Sequence, residues 1–207
     1  MTNIKEFNEL HFSKDLLILG NAWDLISALI LEKSGFKAIG TTSWGIANSL
    51  GYSDGELIDF ERHLGIIKLI ADNVKIPVTA DIEAGYGETA DKIVDNVLRT
   101  ADAGVAGINI EDSLKKQKGL RDIYQHCSLE ALDYNGYEGF YINATLNIGA
   151  PLNVLSLPGL TNGKELEELG VKRLSFGNAL FDKAIELLER DTARIAELSD
   201  TSHLYEK

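Results

Sequence analysis

The stretch Ile76–Gly87, IPVTADIEAGYG, decides how the rest of the chain is read. It begins as a strand, with Pro77 just inside the entry and Val78 and Ile82 as β-formers. It leaves through Gly85-Tyr86-Gly87, a turn sequence, and a helical pattern begins near Thr89. Side chains alternate along a strand, so Asp81 and Glu83 are expected on one side, at its C-terminal end. Two carboxylates that close repel each other unless a cation lies between them. Mg²⁺ suits such a place, because it takes oxygen ligands and keeps several of its waters. An acidic loop facing solvent would give the same letters, and this stretch alone does not separate the two.

Working outward, strand and helix patterns alternate on both sides. Leu16–Gly20 (LLILG) and Ala38–Thr42 (AIGTT) read as strands buried on both faces. Between them lies a helix over Leu25–Lys33, with Asp24 either its cap or a ligand and Gly35 its stop. Residues 1–14 read as a helical or irregular lead-in, and SWGIANSLGYSDGE (43–56) as a long polar loop. Phe60–Val74 is helical, with Phe60, Leu64, Ile67, Ala71 and Val74 on one stripe. Beyond the central stretch come a helix over Thr89–Ala103, a strand over Val105–Ile110 and a helix over Leu120–Asp133. Strands at Phe140–Ala144, Leu152–Leu155 and Val171–Phe176 follow, with a short helix around Lys164–Leu169 and a long one over Ala179–Leu198.

This succession specifies parallel βαβ units. Acidic and polar residues gather just after the strands, as at the C-terminal face of an α/β barrel, and no Gly-x-Gly-x-x-Gly follows the first strand. The expected fold class is therefore α/β, a TIM-type (β/α) barrel, in a single domain over residues 1–207 without internal linkers. Only TLNIGAP (145–151) separates the fifth strand from the sixth. A parallel crossover needs about a dozen residues. Seven strands are recognisable, and one βα unit is expected to be lacking between residues 145 and 151. The short link can run extended between two parallel strands, the preferred reading, or collapse into an antiparallel hairpin that opens the barrel.

Composition excludes several classes of function. A net charge of −12 speaks against nucleic acid as a partner, since that needs a basic surface. No apolar run is long enough for a membrane, and the first residues carry no signal pattern. The single cysteine, Cys127, rules out an internal disulfide and fits a reducing, cytoplasmic setting. Cys127, His126 and His63 fall in helical patterns with no neighbours to complete a metal set, so packing or surface roles are expected. Trp23 and Trp44 follow the first two strands; Trp44 either lines a pocket or packs beneath the loop.

Taken together, LILGNAWDLISALILEKSGFKAIGTTSWGIANSLGYSDGE, IPVTADIEAGYG, GVAGINIEDS, PLNVL and LGVKRLSFGNAL resemble the phosphoenolpyruvate mutase/isocitrate lyase superfamily, particularly its carboxyvinyl-carboxyphosphonate phosphorylmutase-like branch. The resemblance implies a barrel that uses Mg²⁺ on a small anionic 2-oxo acid, breaking a C–C or P–C bond next to an enolate. It also implies a homo-oligomer, dimer or tetramer, in which a C-terminal helix packs onto a neighbouring subunit. By position, Asp81 matches the carboxylate that meets the metal, directly or through water. Glu83, Glu111 and Asp54 match its outer acidic partners, and alternation turns Glu111 rather than Asp112 inward. Ser43, Trp44 and Gly45 match the turn whose backbone amides hold the substrate carboxylate, and Asn143 matches a further substrate contact.

Two departures accompany the resemblance. Where the family has Asn-Ala-Arg-Thr-Asp, this chain reads Asn143-Ala144-Thr145-Leu146-Asn147, without the arginine. The family's next strand and helix, with an Ala-Gly-Ala-Asp-like run, are absent between Asn147 and Pro151. Gly119 stands where isocitrate and methylisocitrate lyases carry a cysteine, which excludes those two activities; Lys115, Lys116 and Lys118 either close over an anion or form a solvated loop. Two functions follow: a Mg²⁺-dependent lyase- or mutase-type enzyme, or a catalytically impaired relative that retains only metal or ligand binding.

Overall fold

The computed structural model describes residues 2–113, 119–120, 141–142 and 151–206. Asn143, the three lysines, His126, Cys127, nearly all of the 120–133 helix and the link after residue 144 up to Ala150 lie outside the described residues. The first elements are α1 (Thr2–His11), β1 (Leu17–Ala22), α2 (Leu25–Lys33), β2 (Ile39–Thr41), α3 (Ser43–Ser49) and α4 (Phe60–Asn73). They are followed by β3 (Val78–Asp81), α5 (Ala90–Asp102), β4 (Gly107–Asn109) and β5 (Tyr141–Ile142). Last come β6 (Asn153–Leu155), α6 (Gly163–Glu168), β7 (Arg173–Ser175) and α7 (Ala179–Leu198), with a 3₁₀ turn at Ser202–Tyr205.

The seven strands form one sheet in the order β5-β4-β3-β2-β1-β7-β6. Every pairing in it is parallel. β5 and β6 stand at opposite ends of that order, so the barrel wall is open between them among the described residues. That is where the sequence lacks a βα unit. The two strands keep parallel positions beside β4 and β7 instead of pairing as a hairpin.

Local chemistry accounts for the elements. Asp24 is the cap of α2: its Oδ1 accepts from Ser27 N at 2.7 Å, and Ser27 Oγ accepts from Asp24 N at 3.1 Å. Gly35, at φ 90°, ends that helix in a conformation costly for any side chain. Asp59 and Thr89 cap α4 and α5, their side chains accepting from Arg62 N and Lys92 N. One expectation is corrected. Residues 43–49, read as loop, are the helix α3, capped by Thr42 Oγ1 and anchored by buried Ile46 and Ala47. Its glycine misled the reading. Gly45 is needed because a Cβ there would lie 2.8 Å from Trp23 Cβ.

Two apolar layers follow from the alternation of β1. Leu17 and Leu19 face the inside, where fully buried Phe7 of α1 packs on them with Ala38 and Ala106. α1 thus closes the N-terminal end of the barrel. Two residues further along the same face, the side chain is Asn21, and the interior turns polar. The outer layer joins the sheet to α2, α4 and α5 through Leu31, Ile39, Ile67, Ile70, Ile93 and Ile108.

Candidate active site

At the C-terminal ends of the strands lies a cavity of about 570 Å³. Of the residues singled out from the sequence, Ser43, Trp44, Asp54, Asp81 and Glu111 line it. Asp112 lines it as well, so the expected choice between Glu111 and its neighbour is not made by alternation alone. Glu83 and Gly45 are not among the lining residues, and Asn143 lies outside the described residues.

Asp81 ends β3 and is held from three directions. Its Oδ2 accepts from Ser43 N at 3.1 Å and from Ser43 Oγ at 2.8 Å, while Oδ1 accepts from Glu83 N at 3.1 Å. Two bonds fill the lone pairs of Oδ2; Oδ1 keeps one. A cation would meet Asp81 there, through one oxygen, without displacing Ser43. Burial raises the pKa of Asp81 above the usual carboxylate range, and the charge of Glu111 adds to this, against the pull of the Ser43 donors. A cation in the cavity would relieve both effects. Among the described residues no three acidic, histidine or cysteine side chains converge as a closed ligand set.

Glu83 does something else. It lies beyond the end of β3, at φ 50°, so the strand alternation that would have put it beside Asp81 no longer applies. Its carboxylate, 1% exposed, accepts from Gly55 N at 3.0 Å and Glu56 N at 2.8 Å, and from the Tyr86 hydroxyl at 2.9 Å. Glu83 therefore ties down the turn that presents Asp54 to the cavity. Behind it, fully buried His63 donates from Nε2 to Asp81 O at 2.9 Å, because a carbonyl can only accept. Burial lowers the pKa of His63 and, together with the Glu83 charge, raises that of Tyr86, so both stay neutral near pH 7.

The first turn of α3 is engaged within the protein: Ser43 N serves Asp81, and Gly45 N donates to Thr42 Oγ1 at 3.3 Å. Trp44 is half-exposed at the rim, and its Nε1 donates to Asp182 of α7 at 3.1 Å. Sequence reasoning missed the residues opposite the acids. Asn21, Asn153 and Arg173 also line the cavity, as does Asn109, two residues before Glu111. The strand pattern VKRLSF carries two adjacent charges, Lys172 and Arg173, and nothing in it singles out Arg173.

A sequence model of the phosphoenolpyruvate phosphomutase family matches residues 7–145. The chain is 33% identical over 222 aligned positions to the uncharacterized protein Rv1998c of Mycobacterium tuberculosis, covering 86% of this chain and 84% of that one. Those positions outnumber the 207 residues here, so the relative carries residues that this chain lacks. The fold matches the crystal structure of a candidate phosphonomutase from Burkholderia cenocepacia J2315, with TM-score 0.82 and 26% identity over 92% of this chain and 98% of that one. It also matches a phosphonopyruvate hydrolase complexed with oxalate and Mg²⁺, with TM-score 0.80 and 18% identity over 95% and 88% of the two chains.

Proposed function

The chain belongs to the phosphoenolpyruvate phosphomutase family, of the phosphoenolpyruvate mutase/isocitrate lyase superfamily, and we propose that it is a Mg²⁺-dependent enzyme that breaks or moves a C–C or P–C bond in a small anionic 2-oxo acid. The observation that carries this reading is Asp81. It is a half-buried carboxylate at a strand's C-terminal end, oriented by Ser43, pressed by the charge of Glu111, and facing a cavity. Asp81, with Asp54 and Glu111 through water, would hold Mg²⁺, and the ion would supply positive charge against negative charge developing on a 2-oxo acid. The protein's part is placement. Ser43 fixes the plane of the Asp81 carboxylate, Glu83 holds the Asp54 turn, and Asp54 and Glu111 accept hydrogen bonds from water in the cavity. Ser43, Trp44, Gly45 and Asn143 are substrate contacts proposed from sequence; within the protein the amides of Ser43 and Gly45 are already bonded to Asp81 and Thr42. The oxalate and Mg²⁺ of the phosphonopyruvate hydrolase support this class of ligand in this fold.

We propose further that the protein works as a homo-oligomer in the cytoplasm. Of the twenty residues of α7, Phe181 is buried, while Leu180, Leu187, Leu188 and Leu198 are exposed. A helix with so much uncovered apolar surface needs a second surface. No helix among the described residues is long and apolar enough to cross a membrane.

The second reading, a relative that binds without turnover, is favoured by β5 and β6 standing at opposite ends of the sheet order among the described residues. Calorimetric titration with oxalate, an enolate mimic, with and without Mg²⁺ tests the site, and turnover of 2-oxo acids separates the readings. Oxalate is expected to bind only with Mg²⁺, and Asp81→Ala to abolish that binding while circular dichroism and the melting midpoint hold. Unchanged oxalate affinity in Asp81→Ala would sink the assignment; Mg²⁺-dependent binding without turnover would select the second reading.

A further inference from the structure

The turn Gly85-Tyr86-Gly87 follows the central strand, and the reading above gives its tyrosine no task. Tyr86 is held from three sides. Its N donates to Glu56 Oε1 at 2.7 Å. Fully buried Asn96 of α5 donates from Nδ2 to Gly85 O and to Tyr86 O, each at 2.9 Å. The ring lies against Phe60 and His63 of α4, with centroids 5.6 and 5.2 Å away. The hydroxyl has one proton and two acceptors within reach, Glu83 Oε1 at 2.9 Å and His63 Nδ1 at 3.2 Å. The carboxylate takes the proton, being charged and nearer.

We infer that Tyr86 is a positioning residue for metal binding: through Glu83 its hydroxyl fixes the Asp54 turn, so that Asp54 and Asp81 are placed before a cation arrives. This rests on the Mg²⁺ reading of the same cavity. The two oxygens of Glu83 have different tasks. Oε2 receives the amides of Gly55 and Glu56, and Oε1 receives the Tyr86 hydroxyl. Without that hydroxyl the carboxylate turns more freely about its terminal torsion, which has no sharp minima of its own. The 55–56 turn then loses a fixed acceptor for two of its amides. Glu56 reaches back to the Tyr86 amide, so each turn holds the other. Glu83, Tyr86 and Glu56 stand at φ 50°, 54° and 58°, a region that disfavours side chains and persists only where the surroundings impose it. His63 joins this unit to the metal-facing strand, since its Nε2 donates to Asp81 O. One side chain of α4 thereby touches both Asp81 and, through Tyr86, the turn that carries Asp54.

The test joins amide hydrogen exchange without metal to calorimetric Mg²⁺ titration in saturating oxalate. It uses the unaltered protein, Tyr86→Phe, Asp54→Asn and the double variant. In the metal-free unaltered protein the amides of Gly55 and Glu56 are expected to be protected; free exchange there overturns the inference without any variant. Tyr86→Phe keeps the ring, so its circular dichroism is expected to hold while those two amides exchange about 10-fold faster. Its Mg²⁺ affinity is expected to fall about 10-fold, the scale of one hydrogen bond to a charged group. Beside Asp54→Asn the same change is expected to weaken Mg²⁺ by less than about 2-fold, because Tyr86 acts through Asp54. A lower melting midpoint with unaltered Mg²⁺ affinity marks a tyrosine that only supports the fold, and overturns the inference. So does a loss of affinity that persists in full beside Asp54→Asn. Absence of Mg²⁺ binding by the unaltered protein, with Gly55 and Glu56 protected, removes the reading of the site and with it the role of Tyr86.

Discussion

The segment from β1 to β4 and the segment from β6 to α7 are built from the same kind of unit and end differently. In the first, each strand has a neighbour on both sides, β4 meeting β5, and α2, α4 and α5 seal the outer face over Ile39, Ile67 and Ile108. In the second, the buried apolar cluster is Leu166, Val171 and Leu174, and Leu152, Leu155, Leu157 and Leu160 remain exposed. The outer face of β1 next to this segment shows the same thinness, with Ile18 partly exposed in mid-strand. A βα unit completes its core only when the next unit lies against it. Remove one, and the cost falls on the neighbour that loses a wall. The acidic side of the cavity comes from the first segment, while Arg173, Asn153 and Ser175 come from the second. The site is thus shared between a finished half and an unfinished one.

Three measurements sharpen or break this contrast. Ile67→Ala opens a cavity in the sealed outer layer and is expected to cost about 3–4 kcal/mol in urea unfolding, as for buried aliphatic truncations generally. Leu174→Ala, in the thin cluster, should cost clearly less; equal losses would break the contrast.

The next measurement tests the seam between the segments, where His11 meets Arg173. Burial, with a smaller part from Arg173, holds the His11 pKa down to about 4 from its ordinary 6.5, against the pull of the Phe7 carbonyl. The folded protein therefore resists protonating His11. Its contribution to stability is complete above pH 6.5 and is lost as the pH falls through about 4, by on the order of 3 kcal/mol. His11→Asn should flatten that part of the profile between pH 7.5 and pH 4.5. Asp81, whose raised pKa acts with the opposite sign, is common to both proteins. Parallel profiles would clear His11 of the role.

The smallest effect on the single chain is expected at Leu188, on the exposed face of α7. Leu188→Lys should change unfolding free energy at high dilution by no more than about 0.5 kcal/mol, as surface substitutions do. In sedimentation at micromolar concentration, however, it should shift an oligomer towards monomer. A monomer before the substitution would remove the reading of α7 as a surface for a second subunit.

How much of this the sequence disclosed depended on distance along the chain. Alternation, caps and the short TLNIGAP link are local signals, and they located the strands, the Asp24 cap and the opening between β5 and β6. The residues that gather at the cavity from strand ends were legible for the same reason, since Asp81 ends its strand and Glu111 follows closely on its own. Glu83 was misjudged in direction because one left-handed residue cancels the period of two on which the reading stood. Arg173 was silent because its meaning depends on His11, Asn109 and Asn153, the first of them 162 residues away in sequence. No window along the chain contains that relation.

The pairing of β1 with β7, Leu17 beside Arg173, has a consequence in time. On a ribosome adding about 5–20 residues per second, β2, β3 and β4 can assemble on one edge of β1 early. The opposite edge waits for β7, roughly 8–30 seconds later at those rates. For that interval a central strand of the finished protein is a free edge, carrying Leu17, Ile18 and Leu19 with unpaired amides and carbonyls. The nascent chain is most exposed to mispairing there, and a chaperone that holds it back would have to act in that interval.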